Sequence, residues 1–135
     1  MLVLDSSVAL AWALDDERNL GPELLAQLTT TDAAMVPGHW ILEVTNGLRI
    51  AVKRRRLLPG DPAQIMARIR EQPIQVDSET AVRGWREIPA LADVHGLTTY
   101  DAAYLELALR LNAPLATLDQ DLGRAARKAG VALFE

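Results

Sequence analysis

The 135-residue chain contains no cysteine, and that absence excludes disulfides, thiolate nucleophiles, iron–sulfur clusters and cysteine-held zinc. Any metal must be held by oxygen or histidine. Histidine is almost as scarce: His39 and His95 lie far apart, in neither HxxxH nor HExxH spacing, so a zinc site has no support. Oxygen ligands remain, which favours magnesium or manganese. Aromatic residues make up only 4%, so no surface for stacking nucleic-acid bases is evident. Trp12, Trp40 and Trp85 read as core or interface anchors. No apolar run approaches the roughly 18 to 20 residues of a membrane span, and the opening MLVLD lacks the basic start and long apolar stretch of a signal peptide. The expectation is a soluble, cytoplasmic protein with no membrane partner.

What is present is sufficient for a core. Half the residues are hydrophobic and 24% are charged, which excludes a disordered tail or a fibrous repeat and suggests one domain over residues 1–135. Fourteen basic residues face 18 acids, a net charge of -4. Taken as a sum, that argues against nucleic acid as a partner.

Along the chain, short apolar runs alternate with amphipathic segments. Met1 to Leu4 reads as a buried strand, ending at Asp5 and leading through Ser6 and Ser7 into a helix to Leu14. Helices are expected over Glu17 to Leu28, His39 to Arg56 (stripe Ile41, Val44, Leu48 and Val52), Pro62 to Arg70 and Ser78 to His95, the last capped by Ser78 and split or kinked at Pro89. Two more are expected from Thr98 or Thr99 to Leu111 and from Asp119 to Ala129. Ala33 to Val36, Ile74 to Val76, Ala113 to Leu118 and Val131 to Phe134 read as strands. Apolar strands alternating with helices indicate an α/β fold with a mostly parallel sheet covered on both faces.

In such a sheet, ligands bind outside the carboxyl ends of the strands, near the point where strand order reverses. Acids cluster in that region. Asp5 ends the first strand; Asp119 follows the strand ending at Leu118, with Asp121 two residues on. Asp101 lies in the first turn of its helix on the face of Leu105 and Ala108. Glu43 sits one turn into the helix after the second strand, with Asn46 and Gly47 on its own side. Asp5 and Asp119 also suit helix capping, and Thr98-x-x-Asp101 matches a capping box. Capping does not require four separate elements to place acids at one edge. Carboxylates gathered there repel one another unless a cation joins them. Hard divalent ions do so, and two of them about 4 Å apart can activate water and stabilise a phosphodiester transition state. The chemistry implied is hydrolysis of a phosphate ester.

Four segments in sequence order carry a family likeness: LVLDSSVALAWAL with Asp5, PGHWILEVTNGL with Glu43 in E-x-x-N-x-L spacing, LTTYDAAYLELALRL with Asp101 and Tyr104, and LATLDQDLGRAARKAG with Thr117 and Asp119. On these the chain resembles the PIN-domain ribonucleases, most closely the VapC-type toxins of type II toxin–antitoxin pairs. The resemblance implies an α/β/α sandwich with a five-stranded parallel sheet and a Mg2+- or Mn2+-dependent endoribonuclease that inhibits translation. Asp5, Glu43, Asp101 and Asp119 would be catalytic and hold metal, with Asp121 nearby. Ser6, Asn46 and Thr117 would orient carboxylates or water. A homodimer and an inhibitory antitoxin are implied as partners, with RNA as substrate.

Arg49, Lys53, Arg54, Arg55 and Arg56 form the densest positive charge, readable as a solvated helix end or as a phosphate-backbone contact for RNA. Two other functions compete: a non-catalytic PIN-like module binding RNA or protein, and an aspartate-nucleophile phosphohydrolase. The latter needs a second acid where Ser7 stands.

Overall fold

The strand β1 (Leu2–Leu4) is apolar at every position and buried on both faces, as expected of a central parallel strand. The computed structural model describes residues 1–14 and 33–134; the helix expected over Glu17 to Leu28 lies outside them. Strand β2 (Ala34–Val36) runs parallel to β1, with Leu2 opposite Ala34, and β3 (Ile74–Val76) flanks β2. On the other side, β4 (Leu115–Ala116) pairs with β1, placing Val3 opposite Leu115. The order β3-β2-β1-β4 means that the chain leaves β1 in one direction and returns on its other side. Strand order therefore reverses at β1, and the carboxyl ends of β1 and β4 flank the reversal point.

Among the described residues the sheet has four strands. The expected fifth, Val131 to Phe134, is reduced to one parallel bridge between Leu115 and Leu133. At Leu115 the outer edge of β4 still makes two ladder bonds, its N–H donating to the Ala132 carbonyl and its carbonyl accepting from the Phe134 N–H. Asn112, at φ 50°, ends the preceding helix and sends the Ala113 N–H, the previous donor on that edge, back to the Ala108 carbonyl.

Seven helices are present among the described residues: α1 (Ser6–Leu14), α2 (Trp40–Lys53), α3 (Asp61–Arg70), α4 (Thr80–Arg83), α5 (Glu87–His95), α6 (Thr99–Leu111) and α7 (Gln120–Lys128). The first three pack on one another; α5 and α7 pack on α6, which lies on β1. The result is an α/β/α sandwich. Its main core joins the sheet to Val8, Val44, Leu48, Ile65, Leu105 and Leu122, and a smaller cluster seals α5 against α6 through Ile88, Ala92, Ala102 and Ala103. No helix among the described residues is long and apolar enough to cross a membrane.

Three local expectations are corrected. Trp40, rather than Ile41, starts the buried stripe of α2, which continues through Val44, Leu48 and Ala51 and leaves Ile41 37% exposed. That helix also stops at Lys53, because Arg55 turns left-handed at φ 61° and the N–H groups of Arg55 and Arg56 bond back to Val52 and Ala51. Between Ser78 and His95 there are two helices. The break falls at Gly84–Arg86, Ser78 caps neither, and Pro89 occupies the first turn of α5, where its missing N–H is harmless.

A buried ionic brace ties α6 to the end of β3. Arg110 contacts Asp77 Oδ2 at 2.7 Å, Glu106 Oε1 at 2.7 Å and Glu79 Oε2 at 3.2 Å. Asp77 also accepts from Thr80 Oγ1, which itself accepts from the Gly38 N–H after β2. Burial works against the Asp77 carboxylate, yet Arg110 and Thr80 outweigh it and hold its pKa below the usual range. The Arg110→Ala substitution strands two buried acids and should destabilise the protein by about 2–4 kcal/mol in chemical denaturation. Arg110→Lys should recover only part of that loss, since one ammonium cannot reproduce the guanidinium fork.

Candidate active site

Asp5, at the end of β1, is 4% exposed, and its fixation is local. Ser7 Oγ donates to Asp5 Oδ2 at 2.8 Å, and Thr117 Oγ1, just past β4, donates to the same oxygen at 2.6 Å. Both hydroxyls hold the β4–α7 connection as well. Ser7 Oγ accepts from the Leu118 N–H and Thr117 Oγ1 from the Asp119 N–H. Among side-chain donors of the described residues, Oδ1 receives only a 3.4 Å contact from Ser6. Burial pushes the Asp5 pKa up and the nearby Glu43 charge adds to it, while the Thr117 and Ser7 hydroxyls oppose the rise.

Glu43 reaches the same edge from α2. Its Oε1 accepts from Tyr104 OH at 2.5 Å, contacts His39 Nε2 at 3.3 Å and takes a long contact from Ser6 at 3.5 Å. Burial alone would raise its pKa, but His39 and Tyr104 outweigh burial and hold it below the ordinary value. His39 Nε2 also lies 3.1 Å from the Tyr100 carbonyl oxygen. Because a carbonyl can only accept, that nitrogen carries the proton.

Asp119 is the N-cap of α7, its Oδ1 accepting from the Leu122 N–H at 2.9 Å. Capping uses one of its oxygens. Asp101 lies in the first turn of α6, where Thr98 Oγ1 accepts from its backbone N–H. Its carboxyl is pushed up to about 6, first by burial and then by the charges of Asp119, Asp5 and Glu43. All four expected acids thus act on one another at the carboxyl edge. Among the described residues, no three Asp, Glu or His side chains converge closely enough to hold an ion as they stand.

Other expected residues fall around this cluster. Asp121 is exposed, paired with Arg124 at 3.2 Å, and lines a separate depression with His95 and Lys128. Asn46 is exposed and lines a groove of about 520 Å³ with His39, Leu42, Glu43, Thr45, Arg49 and Tyr100. Of the basic run, Arg49 alone borders that groove, and Lys53 to Arg56 are exposed near the end of α2. A second depression, about 570 Å³, adjoins Thr117 and Asp119 and includes Arg124 and Arg127.

Three contributing residues carry no role on sequence reasoning alone. Ser7 follows Asp5 by two, the spacing at which a hydroxyl reaches back to an aspartate. Tyr104 follows Asp101 by three on one helix face, and His39 precedes Glu43 by four. In each case the spacing is the signal that could have found the residue.

The comparisons place the chain in a known family. Residues 2–128 match the family model for the PIN domain. Ribonuclease VapC3 of Pyrobaculum aerophilum is 32% identical over 127 residues, covering 90% of this chain and 91% of that one. Two solved structures share the fold at lower identity. PAE2754 of Pyrobaculum aerophilum has a TM-score of 0.66 at 19% identity, covering 92% of this chain and 84% of its own. VapC20 of Mycobacterium tuberculosis, described as a sarcin–ricin loop cleaving toxin, has a TM-score of 0.64 at 16% identity, covering 93% and 95%. The chain therefore belongs to the PIN domain family, in its VapC-type branch.

A carboxyl whose pKa is higher folded than unfolded costs stability once it ionises. For Asp101 the loss sets in above the ordinary value of 3.8 and is complete above about 6. In chelator at pH 7.5, Asp101→Asn should melt a few degrees higher than the parent protein. At pH 4, where the parent carboxyl is protonated, the two should melt together; equal melting temperatures at pH 7.5 would contradict the repulsion.

Proposed function

We propose that the protein is a divalent-metal-dependent endoribonuclease that hydrolyses RNA phosphodiester bonds. The observation that carries this reading is the division of labour on the carboxylates. Asp5, Glu43 and Asp119 each engage one oxygen in the hydrogen bonds that hold the side chain, namely Oδ2, Oε1 and Oδ1. The other oxygen of each has no hydrogen bond shorter than 3.4 Å to a side chain among the described residues. Asp101 completes an all-oxygen donor set with surplus negative charge. That set suits Mg2+ or Mn2+, and Asp5, Glu43, Asp101 and Asp119 would hold the ion or ions. A bound ion there would supply an activated water and charge stabilisation for phosphodiester cleavage.

The chain's own residues prepare that chemistry. Thr117 and Ser7 fix the Asp5 carboxylate and tie it to the backbone that carries Asp119. Tyr104 and His39 hold Glu43 ionised, so it needs no deprotonation before binding a cation. Tyr104 itself stays a neutral donor, since burial first, and then the Asp5 and Glu43 charges, push its pKa well above its ordinary value. Asp121 stands outside the cluster and would have to release Arg124 before it could contribute.

VapC-type kinship supports the biological setting: a toxin that limits translation, a cognate antitoxin that silences it, and a homodimer. Trp85, 87% exposed between α4 and α5, is an aromatic anchor available to such an interface.

Purified protein should cut RNA with Mg2+ or Mn2+ and lose activity in excess chelator, with restoration on adding the ion back. Asp5→Asn should abolish cutting while leaving the circular dichroism spectrum unchanged. Full cleavage by the chelated protein or by the variant would sink the metal mechanism. Thr117→Val removes a positioning hydroxyl and should lower activity by roughly 10- to 100-fold without abolishing it.

A further inference from the structure

A ladder of rings runs from the core to the groove beside Glu43, and the side chain of its outer member, Tyr100, takes no part in holding the carboxylates. Tyr104 is fully buried; the His39 ring meets it edge-on, with centroids 5.3 Å apart. Beyond His39 lies Tyr100, 5.7 Å away and tilted by 51°. The ladder passes from the core to the surface, where Tyr100 is 62% exposed. Its backbone carbonyl accepts from His39 Nε2, which pins the start of α6 against α2. Tyr100 is also the residue before Asp101.

From these contacts we infer that Tyr100 is a stacking platform for one base of a single-stranded RNA, and that Arg49 contacts the phosphate backbone further along the same groove. The inference rests on the ribonuclease reading and deepens it. A ring already packed against His39 on one side loses little freedom when a base covers its open face. Stacking is available to any base and needs the bases unpaired. Along α2, His39, Glu43, Asn46 and Arg49 follow at spacings of four, three and three, so they lie on one helical face. Arg49 is about 9 Å beyond Glu43 by helical rise, and it gives this groove a cation next to a cluster of acids. A phosphate there would lie outside the carboxylates' strongest repulsion. The depression beside Asp119 offers Arg124 and Arg127 but no comparably exposed ring. Base recognition is therefore assigned to the Glu43 side.

The test is fluorescence anisotropy of a labelled single-stranded RNA of about ten nucleotides, using the Asp5→Asn protein so that the RNA survives. In that background Tyr100→Ala should weaken binding roughly ten-fold or more, and Tyr100→Phe should retain it to within about two-fold. Arg49→Ala should lower the slope of log affinity against log salt by about 0.7, a change that Tyr100→Ala should not produce. Scanning one abasic nucleotide through the RNA should find a position that reproduces the Tyr100→Ala loss and is not additive with it, which a purely structural tyrosine would not show. If Tyr100→Ala binds RNA as tightly as its parent, the platform is overturned while the ribonuclease reading stands. The platform is equally overturned if that substitution weakens only the binding of a partner protein. If Asp5→Asn binds no RNA and the unsubstituted protein cuts none at any metal concentration, the ribonuclease reading fails and takes this inference with it.

Discussion

Four carboxylates at one sheet edge repel one another, and the architecture around β1 is arranged to hold them there regardless. Asp5 is almost wholly buried, and among the described residues the main charges acting on the Asp5 and Asp101 carboxyls are those of other acids. Hydroxyls and a backbone N–H restrain Asp5 and Asp119, and dipolar donors of this kind fix position without cancelling charge, while His39 acts on Glu43. On the proposed reading, a site that captures a hard cation would need that surplus of negative charge, at a cost in the stability of the metal-free protein.

The Arg110 brace shows the alternative treatment of the same residue types a short way along the edge. Asp77 and Glu106 are as buried as Asp5, yet a guanidinium bridges them and the group is internally satisfied. The two clusters are connected mechanically. The brace anchors α6 through Glu106 and Arg110, and the first half of that helix carries Asp101 and Tyr104. Through Thr80 it also reaches Gly38, immediately before His39 and one turn before Glu43. This ion-paired network thus sets the registry of two elements that present the Asp101 and Glu43 carboxylates.

Much of this was legible in the sequence because strand-end aspartates and helical spacing are local properties. Asp5, Glu43, Asp101 and Asp119 could be placed by counting residues from strand ends and caps. Capping and catalysis did not have to compete for Asp119, because a carboxylate has two oxygens and α7 uses one. The errors arose where distant contacts decide. Trp40 took the core position assigned to Ile41 because its bulk is accommodated under the sheet. The last strand shrank to a bridge at Leu115, and the previous donor on that edge, the Ala113 N–H, is taken by the end of α6. Asp121 sits two residues from Asp119, but α7 turns it away toward Arg124.

Overall composition and the proposed RNA substrate point in opposite directions. A net charge of -4 and a 4% aromatic content both point away from an RNA partner. Yet the four clustered acids alone account for the whole surplus, so bound divalent ions would leave a surface of roughly balanced charge. The scarcity of rings is likewise an average. Two of the few rings, Tyr104 and Tyr100, stand on α6 with His39 against both, one in the core and one at the surface. Whole-chain sums describe solubility and colloidal behaviour; a partner meets the local field and the local surface. In this fold α6 carries both Asp101 and the exposed ring of Tyr100, so on the proposed reading the metal-binding position and the substrate position would be set by one rigid element.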